Sequence, residues 1–332
     1  MQISNYQEKQ REKVKKLLSE KNEVFYGGKG GGYFMRSNRY FVLTEYEKNL
    51  FQQIKNKVIS YFEKEKGNGI AWWGGKKNPT GHALSSQIAC INHLFALRED
   101  KQAVLSLLKS VSDTFVDVYE ITTDKYDPAY IQFEAVSGKD YLNEGQPNRG
   151  SHCTSIDALI FAKHEDGTKW LIPIEWKYTE HYQNQNKATE GAKKDPKNCK
   201  GEVRKKRYTN IIINSNQLQS EDHYCYYFEP FYQLMRQTLW AEQIIKNKEQ
   251  ISETLTADNF LHLHIIPKEN EDLLLLNKKY KCSGLDMEKT WRKNLKDNTK
   301  YKIISPDVFL QKIDKEEYAE LINYLANRYW SE

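Results

Sequence analysis

Apolar residues recur at intervals of three and four along the first 110 residues, which predicts a mostly helical start to the chain. The predicted helices run from 5 to 20, from Thr44 to about Lys64 and from 83 to 109. Thr44 and Glu47 have the spacing of a capping box, which favours a helix start at that point.

A glycine-rich run from Gly27 to Gly32 separates the first two predicted helices. It lacks the lysine–hydroxyl ending of a phosphate-binding loop, and no apolar strand leads cleanly into it. We therefore expect a flexible turn here rather than a phosphate site.

The pattern then changes to short runs rich in Val, Ile, Tyr and Phe, which predict strands. The predicted strands are 115–121, 129–136, Ser155–Ala162, Lys169–Lys177, Tyr208–Asn214 and Phe260–Pro267. Asp127-Pro128 breaks the run between the first two and indicates a hairpin, and a turn from Lys163 to Gly167 joins the next two.

Two further helices are predicted in the second half of the chain. Pro230 in a first turn opens a helix to about Lys246, and Asp314 with Glu317 marks the start of another that ends near Tyr329. Without an internal repeat or a linker, the order of elements predicts one domain of α/β class with a mixed sheet. We expect an N-terminal helical elaboration (1–79), a core (80–267) and a C-terminal extension (268–332).

Composition narrows the class of protein. Hydrophobic residues make up 39% of the chain and charged residues 29%, so it can bury a core beneath a well-solvated surface. No apolar stretch follows the basic N-terminus, and the densest apolar run, Leu273–Leu276, is far shorter than the ~20 residues of a membrane helix. Five scattered cysteines without a C-x-x-C pair indicate a reduced compartment and no structural zinc. We expect a cytoplasmic protein without a membrane partner.

The net charge of +5 is concentrated in one segment. Between Lys187 and Arg207 there are nine Lys and Arg residues against three acids, so the segment carries +6 and the rest of the chain −1. A mobile basic segment of this kind attracts the phosphates of nucleic acid, although a solvated surface loop has the same composition. The candidate nucleic-acid contacts are Lys193, Lys194, Lys197, Arg204, Lys205, Lys206 and Arg207.

Candidate chemistry lies on the two strands that the polar turn joins. Side chains alternate along a strand, so Glu175 and Lys177 share one face while the neighbouring Trp and Ile residues bury the other. Asp157 is an acid within the apolar preceding strand, where it needs a partner. A divalent cation shared by Asp157 and Glu175 would supply one, and Lys177 could orient or deprotonate a water beside it.

An acid on one strand, a turn, and then acid-x-lysine on the next strand resembles the PD-(D/E)XK nuclease superfamily. The signature here is Asp157 followed by Glu175-Trp176-Lys177. The flanking stretches from Arg149 to Ser151 and around Gln87 are similar to a bacterial restriction-endonuclease-like branch, and the order of elements is similar to its αβββαβ core. The resemblance covers roughly residues 80–267.

What the resemblance implies is hydrolysis of phosphodiester bonds with Mg²⁺, or Mn²⁺ as a substitute. Asp157, Glu175 and the backbone carbonyl of Trp176 would be ligands, and Lys177 would act on the water. The chain departs from the pattern by having Ile156 in place of the proline and no glutamate in the helix from 83 to 97. The candidate supporting residues are Glu134, Gln87 and Gln233.

Other residues have simpler interpretations that compete with a role in the site. His152 and Cys153 precede Asp157, and His262 and His264 share a strand face compatible with zinc, although nothing in the sequence places them near the carboxylates. Arg236 is compatible with a contact to a phosphate and equally with a place on an ordinary helix surface. The aromatic cluster Tyr224, Tyr226, Tyr227, Phe228 and Phe231 is interpreted as core rather than as a platform for bases.

The sequence thus favours a restriction-endonuclease-like deoxyribonuclease in defence or repair. RNA as the substrate and a homodimeric state stay open. Two alternatives remain: a nucleic-acid-binding protein that keeps the fold without cleavage, and a partner-binding protein in which the motif is incidental.

Overall fold

A computed structural model describes most of the chain. The described ranges are 5–20, 23–63, 72, 78–123, 126–145, 153–182, 184–194, 196–197, 199–220, 225–250, 255–275 and 280–330. His152, Tyr224 and the stretch from Arg149 to Ser151 therefore lie outside the described residues.

The helices and strands are numbered in chain order. The helices are α1 (Asn5–Glu20), α2 (Lys55–Glu63), α3 (Ser86–Leu94), α4 (Lys101–Val111), α5 (Lys200–Ile213), α6 (Phe231–Lys246), α7 (Glu271–Leu274), α8 (Met287–Lys293), α9 (Pro306–Phe309) and α10 (Ala319–Leu325). The strands are β1 (Gly30–Phe34), β2 (Ser37–Leu43), β3 (Phe115–Tyr119), β4 (Ile121–Thr123), β5 (Tyr126–Ala129), β6 (Ile131–Ala135), β7 (Ile156–His164), β8 (Lys169–Trp176), β9 (Asn259–Phe260), β10 (His262–Ile265) and β11 (Tyr301–Ile304).

A mixed sheet forms the centre of the fold, with seven strands in the described ranges. Its main path runs β11-β10-β8-β7-β3, while β6 also pairs with β7 and β9 with β8. Strand β7 pairs antiparallel with β3, β6 and β8, whereas β9 and β10 run parallel to β8. The predicted α/β class with a mixed sheet is therefore confirmed.

Alternation along β8 separates two apolar cores, one on each face of the sheet. Ile172, Ile174 and Trp176 pack with α3 and α4, whereas Leu171 packs with α5 and α6 on the other face. Strands covered on both faces are buried almost throughout, so a charged side chain within them requires a polar partner. As the sequence predicts, this parity turns Glu175 to the face opposite Ile172, Ile174 and Trp176. That face is covered by α6, whose Gln237 contacts Glu175.

The N-terminal part contains a hairpin where a flexible turn was expected. Gly30 to Gly32 belong to β1, which pairs antiparallel with β2. A Cβ on Gly30 would come within 2.1 Å of the Tyr40 carbonyl oxygen, so the prediction of a flexible turn was wrong because close strand approach requires these glycines. The predicted helix from Thr44 is also wrong in its first part, since Thr44 donates to the Lys29 carbonyl at 3.2 Å instead of capping a helix.

Helix boundaries differ from prediction at two other places. The region 83–109 divides into α3 and α4, because Asp100 accepts hydrogen bonds from the amides of Gln102 and Ala103 and begins a new helix. The predicted strand Tyr208–Asn214 is the end of α5, where Tyr208 and Ile212 are buried four residues apart on one helix face. Short isoleucine runs suit either element, and tertiary burial decides here.

The first predicted hairpin is also rearranged. The reversal is made by β4 and β5, whereas β3 and β6 both pair with β7 rather than with each other. Asp127-Pro128 lies within β5 instead of breaking a run. By contrast, α1, the β7–β8 hairpin, α6 and β10 occur where the sequence predicts them.

The C-terminal segment closes over the α3 face of the sheet. Asp314 accepts hydrogen bonds from the amides of Glu316 and Glu317, as predicted, although regular α-helix begins only at Ala319. No helix in the described part of the chain has both the length and the apolarity to cross a membrane.

Candidate active site

Asp157 and Glu175 lie at the same end of the β7–β8 hairpin. Ala158 pairs with Ile174, so the next step of the antiparallel ladder brings Asp157 opposite Glu175. One carboxylate oxygen of Asp157 accepts a hydrogen bond from the Trp176 amide at 2.8 Å. Within the described residues its other oxygen, Oδ1, has no hydrogen-bond partner.

Lys177 follows directly after β8 and is held from both sides. Its amide donates to the Ile265 carbonyl on β10 at 2.9 Å, and its ammonium lies 2.5 Å from Glu175 Oε1. The ammonium also donates to the side-chain oxygen of Gln233 on α6 and lies 5.7 Å from the Tyr182 ring centre. Glu175 and Lys177 are each only 4% exposed, so this is a buried ion pair.

The electrostatics of the pair follow from this burial. Burial alone lowers the pKa of Lys177, but the charges of Glu175, Tyr182 and Glu180 outweigh it and raise the pKa well above its ordinary value. Burial, followed by the neighbouring Glu175 and Glu134, raises the pKa of Asp157 well above its ordinary value. The lysine is therefore a firmly held cation, and the two opposed carboxylates repel each other.

Glu175 has a second fixed contact on its other oxygen. The side-chain amide of Gln237 donates to Glu175 Oε2 and lies 3.3 Å from the Ser155 carbonyl. The Gln237 oxygen lies 2.8 Å from Nε2 of His262 on β10, and Nδ1 of that ring lies 3.4 Å from the Thr238 hydroxyl. Because burial lowers the pKa of His262 to about 3, the ring is neutral, and this chain requires its proton on Nε2.

The supporting residues Glu134 and Gln87 lie beside Asp157. The Gln87 amide donates to Glu134 Oε1 at 2.7 Å, and both line a small depression with Cys90 and Asp157. Glu134 has a φ of 50°, an unfavourable conformation for a residue other than glycine. The structure thus brings Asp157, Glu175, Lys177, Glu134, Gln87 and Gln233 to one end of the sheet.

Glu229 is a buried acid near the site that is not among the predicted site residues. It is 5% exposed, and its Oε1 lies 3.6 Å from the Lys187 ammonium. Burial raises the pKa of Glu229, while the charges of Lys177 and Lys187 oppose that rise. The only sequence signal was its place immediately before Pro230, which indicates a helix start and not a site.

The basic segment is helical in its second half. Arg204, Lys205, Lys206 and Arg207 belong to α5, while Lys193, Lys194 and Lys197 are exposed in the preceding turns. Arg204 pairs with Glu190 at 2.9 Å and Lys205 with Glu202 at 2.7 Å. The expectation of a mobile loop was therefore wrong for α5, and part of the positive charge is offset locally.

Three of the remaining candidates have contacts within the protein that the sequence does not indicate. Arg236 binds Glu144 and Thr154, each at 3.0 Å, which joins α6 to the residues before β7. His264 pairs with Glu175 in the β8–β10 register, and its Nδ1 lies 2.9 Å from the Tyr301 hydroxyl. The described residues contain no group of three His, Cys, Asp or Glu side chains suited to a metal. Cys153 lies 3.4 Å from the Thr154 carbonyl.

The aromatic cluster belongs to the core. Its described members Tyr226, Tyr227, Phe228 and Phe231 are buried, which confirms the core interpretation for them.

A family model described as REase-ARP, restriction endonuclease associating with ARP, matches residues 11–330. The chain belongs to this REase-ARP family. Comparisons with curated proteins and with solved structures gave no match. Membership confirms the restriction-endonuclease-like resemblance, and the match extends beyond the range 80–267 at both ends.

In this REase-ARP protein, the residue near the site that the sequence does not place there is His262 on β10. The parallel pairing of β8 with β10 brings His262 within two hydrogen bonds of Glu175. The 86 residues that lie between them in the sequence carry no indication of this proximity. Only the closing of the sheet by a parallel strand places the ring behind the carboxylate.

Proposed function

We propose that this chain is a metal-dependent nuclease that hydrolyses phosphodiester bonds in DNA through Asp157, Glu175 and Lys177. The observation that carries the proposal is the meeting of these three side chains at one end of β7 and β8 in a member of a restriction-endonuclease family. A sequence motif alone recurs by chance. Catalytic side chains must also lie together in space to share one site, and these three do so at one strand end.

The donor set fits a hard divalent cation. Asp157 has an oxygen without a partner in the described chain, it lies opposite Glu175, and the Trp176 carbonyl stands at the adjoining strand end. Mg²⁺ prefers oxygen ligands and retains several waters, so it does not require three protein carboxylates. These residues would hold the cation, which would polarise a phosphate oxygen and lower the pKa of a bound water.

The protein's own groups would then position the reactants. Lys177, fixed by Gln233 and by the backbone of Ile265, can donate to the attacking water or to a phosphate oxygen. Gln237 would keep Glu175 in its orientation through the hydrogen bond to Oε2. Glu134 and Gln87 border the depression at Asp157, where they could hold a water.

The test is cleavage of plasmid and linear duplex DNA, with a structured RNA in parallel, in Mg²⁺, Mn²⁺ or EDTA. Wild type should cut DNA only with a divalent metal, and Lys177→Ala should lose at least a hundredfold in rate. Lys163→Ala is the matched control, because it removes a lysine at the opposite end of the same hairpin. Intact DNA under every condition, or full activity in Lys177→Ala, would contradict the proposal.

One observation favours a second candidate, a nucleic-acid-binding protein without cleavage. The Lys177 ammonium lies 2.5 Å from a Glu175 oxygen and so competes with a cation for that ligand. Calorimetric titration with Mn²⁺ separates the two functions. A metal-dependent nuclease must bind the metal, and its Asp157→Ala variant must lose that metal binding. DNA binding without metal uptake would favour the second candidate.

A further inference from the structure

The β1–β2 hairpin is a basic and aromatic projection that the proposed chemistry does not use. No acidic residue occurs between Val24 and Thr44, a stretch that carries Lys29, Arg36 and Arg39. Tyr33 is 71% exposed and Met35 66% exposed. Large exposed apolar side chains next to unopposed positive charge are typical of a binding surface.

The cations of the hairpin are available to a ligand. Within the described ranges, the guanidinium groups of Arg36 and Arg39 have neither a hydrogen-bond nor an ion-pair partner. Glu12 of α1 is near, because the Tyr40 hydroxyl donates to it at 3.3 Å, but Lys15 lies 3.4 Å from the same carboxylate. The surface therefore keeps a positive charge.

The turn of the hairpin uses residues that a purely structural turn would avoid. Phe34 pairs with Ser37, so Met35 and Arg36 are the two turn residues, with φ values of 45° and 69°. Two-residue turns of this kind favour Asn-Gly, because at positive φ the Cβ of most residues lies too close to a backbone carbonyl oxygen. Strain that is retained at an exposed tip indicates that the side chains themselves are required.

The hairpin is also attached close to the candidate active site. The rings of Phe34 and Phe41 lie 4.6 Å and 5.1 Å from the His82 ring, and Val42 forms a β-bridge with His82. Gln87 follows His82 by five residues, which span at most about 18 Å of extended chain. That distance corresponds to about five base pairs at 3.4 Å each. The hairpin and the candidate active site can therefore contact the same duplex.

We propose that the β1–β2 hairpin is a DNA-contacting element that enters a groove of the duplex beside the cleavage site. The major groove admits a two-stranded ribbon. Arg36 and Arg39 contact phosphates, while Tyr33 and Met35 face sugars and base edges. The inference rests on the proposed function for its ligand, but it concerns binding and not the chemical step.

Duplex binding in EDTA tests the hairpin separately from cleavage. The double variant Arg36→Ala/Arg39→Ala should lose about tenfold or more in affinity near 0.1 M salt, and the slope of log K against log salt should become shallower by about 2. The matched control is Lys109→Ala/Lys246→Ala, which removes two exposed lysines from the ends of α4 and α6. This control should keep the affinity and slope of wild type.

A second variant separates binding from folding. Met35→Asn/Arg36→Gly gives the turn its preferred residues, so the midpoint of thermal unfolding should rise or stay unchanged while DNA affinity falls. Wild-type affinity in both hairpin variants would overturn the proposal even if wild type cuts DNA, and so would wild type that binds no duplex. Weakened binding in the variants beside a wild type that never cleaves would support the hairpin and reject the nuclease function.

Discussion

The Nε2 atom of His262 lies 2.8 Å from the side-chain oxygen of Gln237, and both residues are almost fully buried. Gln237 uses its amide nitrogen on Glu175, so its oxygen is left to accept the histidine proton. The contact therefore fixes which way the glutamine amide faces. Without it, the amide could rotate and present an oxygen to the carboxylate.

His262→Phe should lower the cleavage rate about 10- to 100-fold, because loss of an outer partner of a metal ligand typically costs that much. The affinity for Mn²⁺ should fall by a similar factor in calorimetric titration, which a purely structural role would not require. Thr238→Val, which removes the longer 3.4 Å contact to the same ring, is the control and should have a smaller effect. Unchanged metal affinity in a folded His262→Phe protein would show that the chain of contacts does not position Glu175.

Asp157→Asn should make the metal-free protein more stable while abolishing cleavage. Burial disfavours the ionised Asp157 carboxylate, and the opposed Glu175 repels it. An amide removes both costs, a gain of about 1–2 kcal/mol in the free energy of unfolding. Urea titrations in EDTA and in Mg²⁺ measure this difference. Mg²⁺ should stabilise wild type and leave the variant unaffected.

Asp117→Asn is the matched control for that experiment. Asp117 lies on β3 and pairs with Lys101 at 2.8 Å, so its loss removes an attraction and should not stabilise the protein. Equal stabilisation in both variants would mean that surface charge, and not the opposed pair, sets the effect.

Glu134→Gly and Glu134→Gln separate the carboxylate of Glu134 from its backbone conformation. Glycine accepts a φ of 50° without strain, so Glu134→Gly should be at least as stable as wild type. Both variants should cut DNA more slowly by about tenfold if the carboxylate supports the site beside Asp157. Full activity in Glu134→Gly would assign Glu134 a local role only, through its bond to Gln87.

The sequence predicts the parts of the site that depend on neighbouring residues. Strand periodicity and one polar turn are enough to put Asp157, Glu175 and Lys177 at one end of a hairpin. The family match confirms the resemblance in its coarse form, whereas the roles of the three residues stay predictions.

Features that depend on long-range packing cannot be predicted from strand periodicity and turns. The approach of His262 requires the parallel β8–β10 pairing, and the burial of Glu229 requires the loop after β8 to pack on the start of α6. The isoleucines at 211–213 suit a strand locally, but the burial of Tyr208 and Ile212 makes them helical. The glycine run at 30–32 suits a loose turn until the opposing strand is present.

His93 should make the stability of the protein depend on pH below neutrality. The ring is 1% exposed, its Nδ1 donates to the Ala89 carbonyl at 2.7 Å, and its Nε2 accepts from the Trp330 indole at 3.1 Å. Burial lowers the pKa of His93 to about 3, against about 6.5 in an unfolded chain. The unfolded state therefore binds the proton first, and the stabilising contribution present above pH 6.5 is lost as the pH falls toward 3.

His93→Gln removes this titration while keeping an acceptor for Trp330. Wild type should lose about 1.6 kcal/mol more than the variant between pH 6.5 and pH 5.0. The unfolded ring is half protonated at pH 6.5, and the loss approaches about 1.4 kcal/mol per pH unit below that. Urea titrations at several pH values measure the free energies of unfolding. Between pH 7.5 and 8.5 the difference between the two proteins should stay constant, because neither state then protonates the ring. Parallel curves down to pH 5.0 would show that His93 accepts its proton without unfolding the protein.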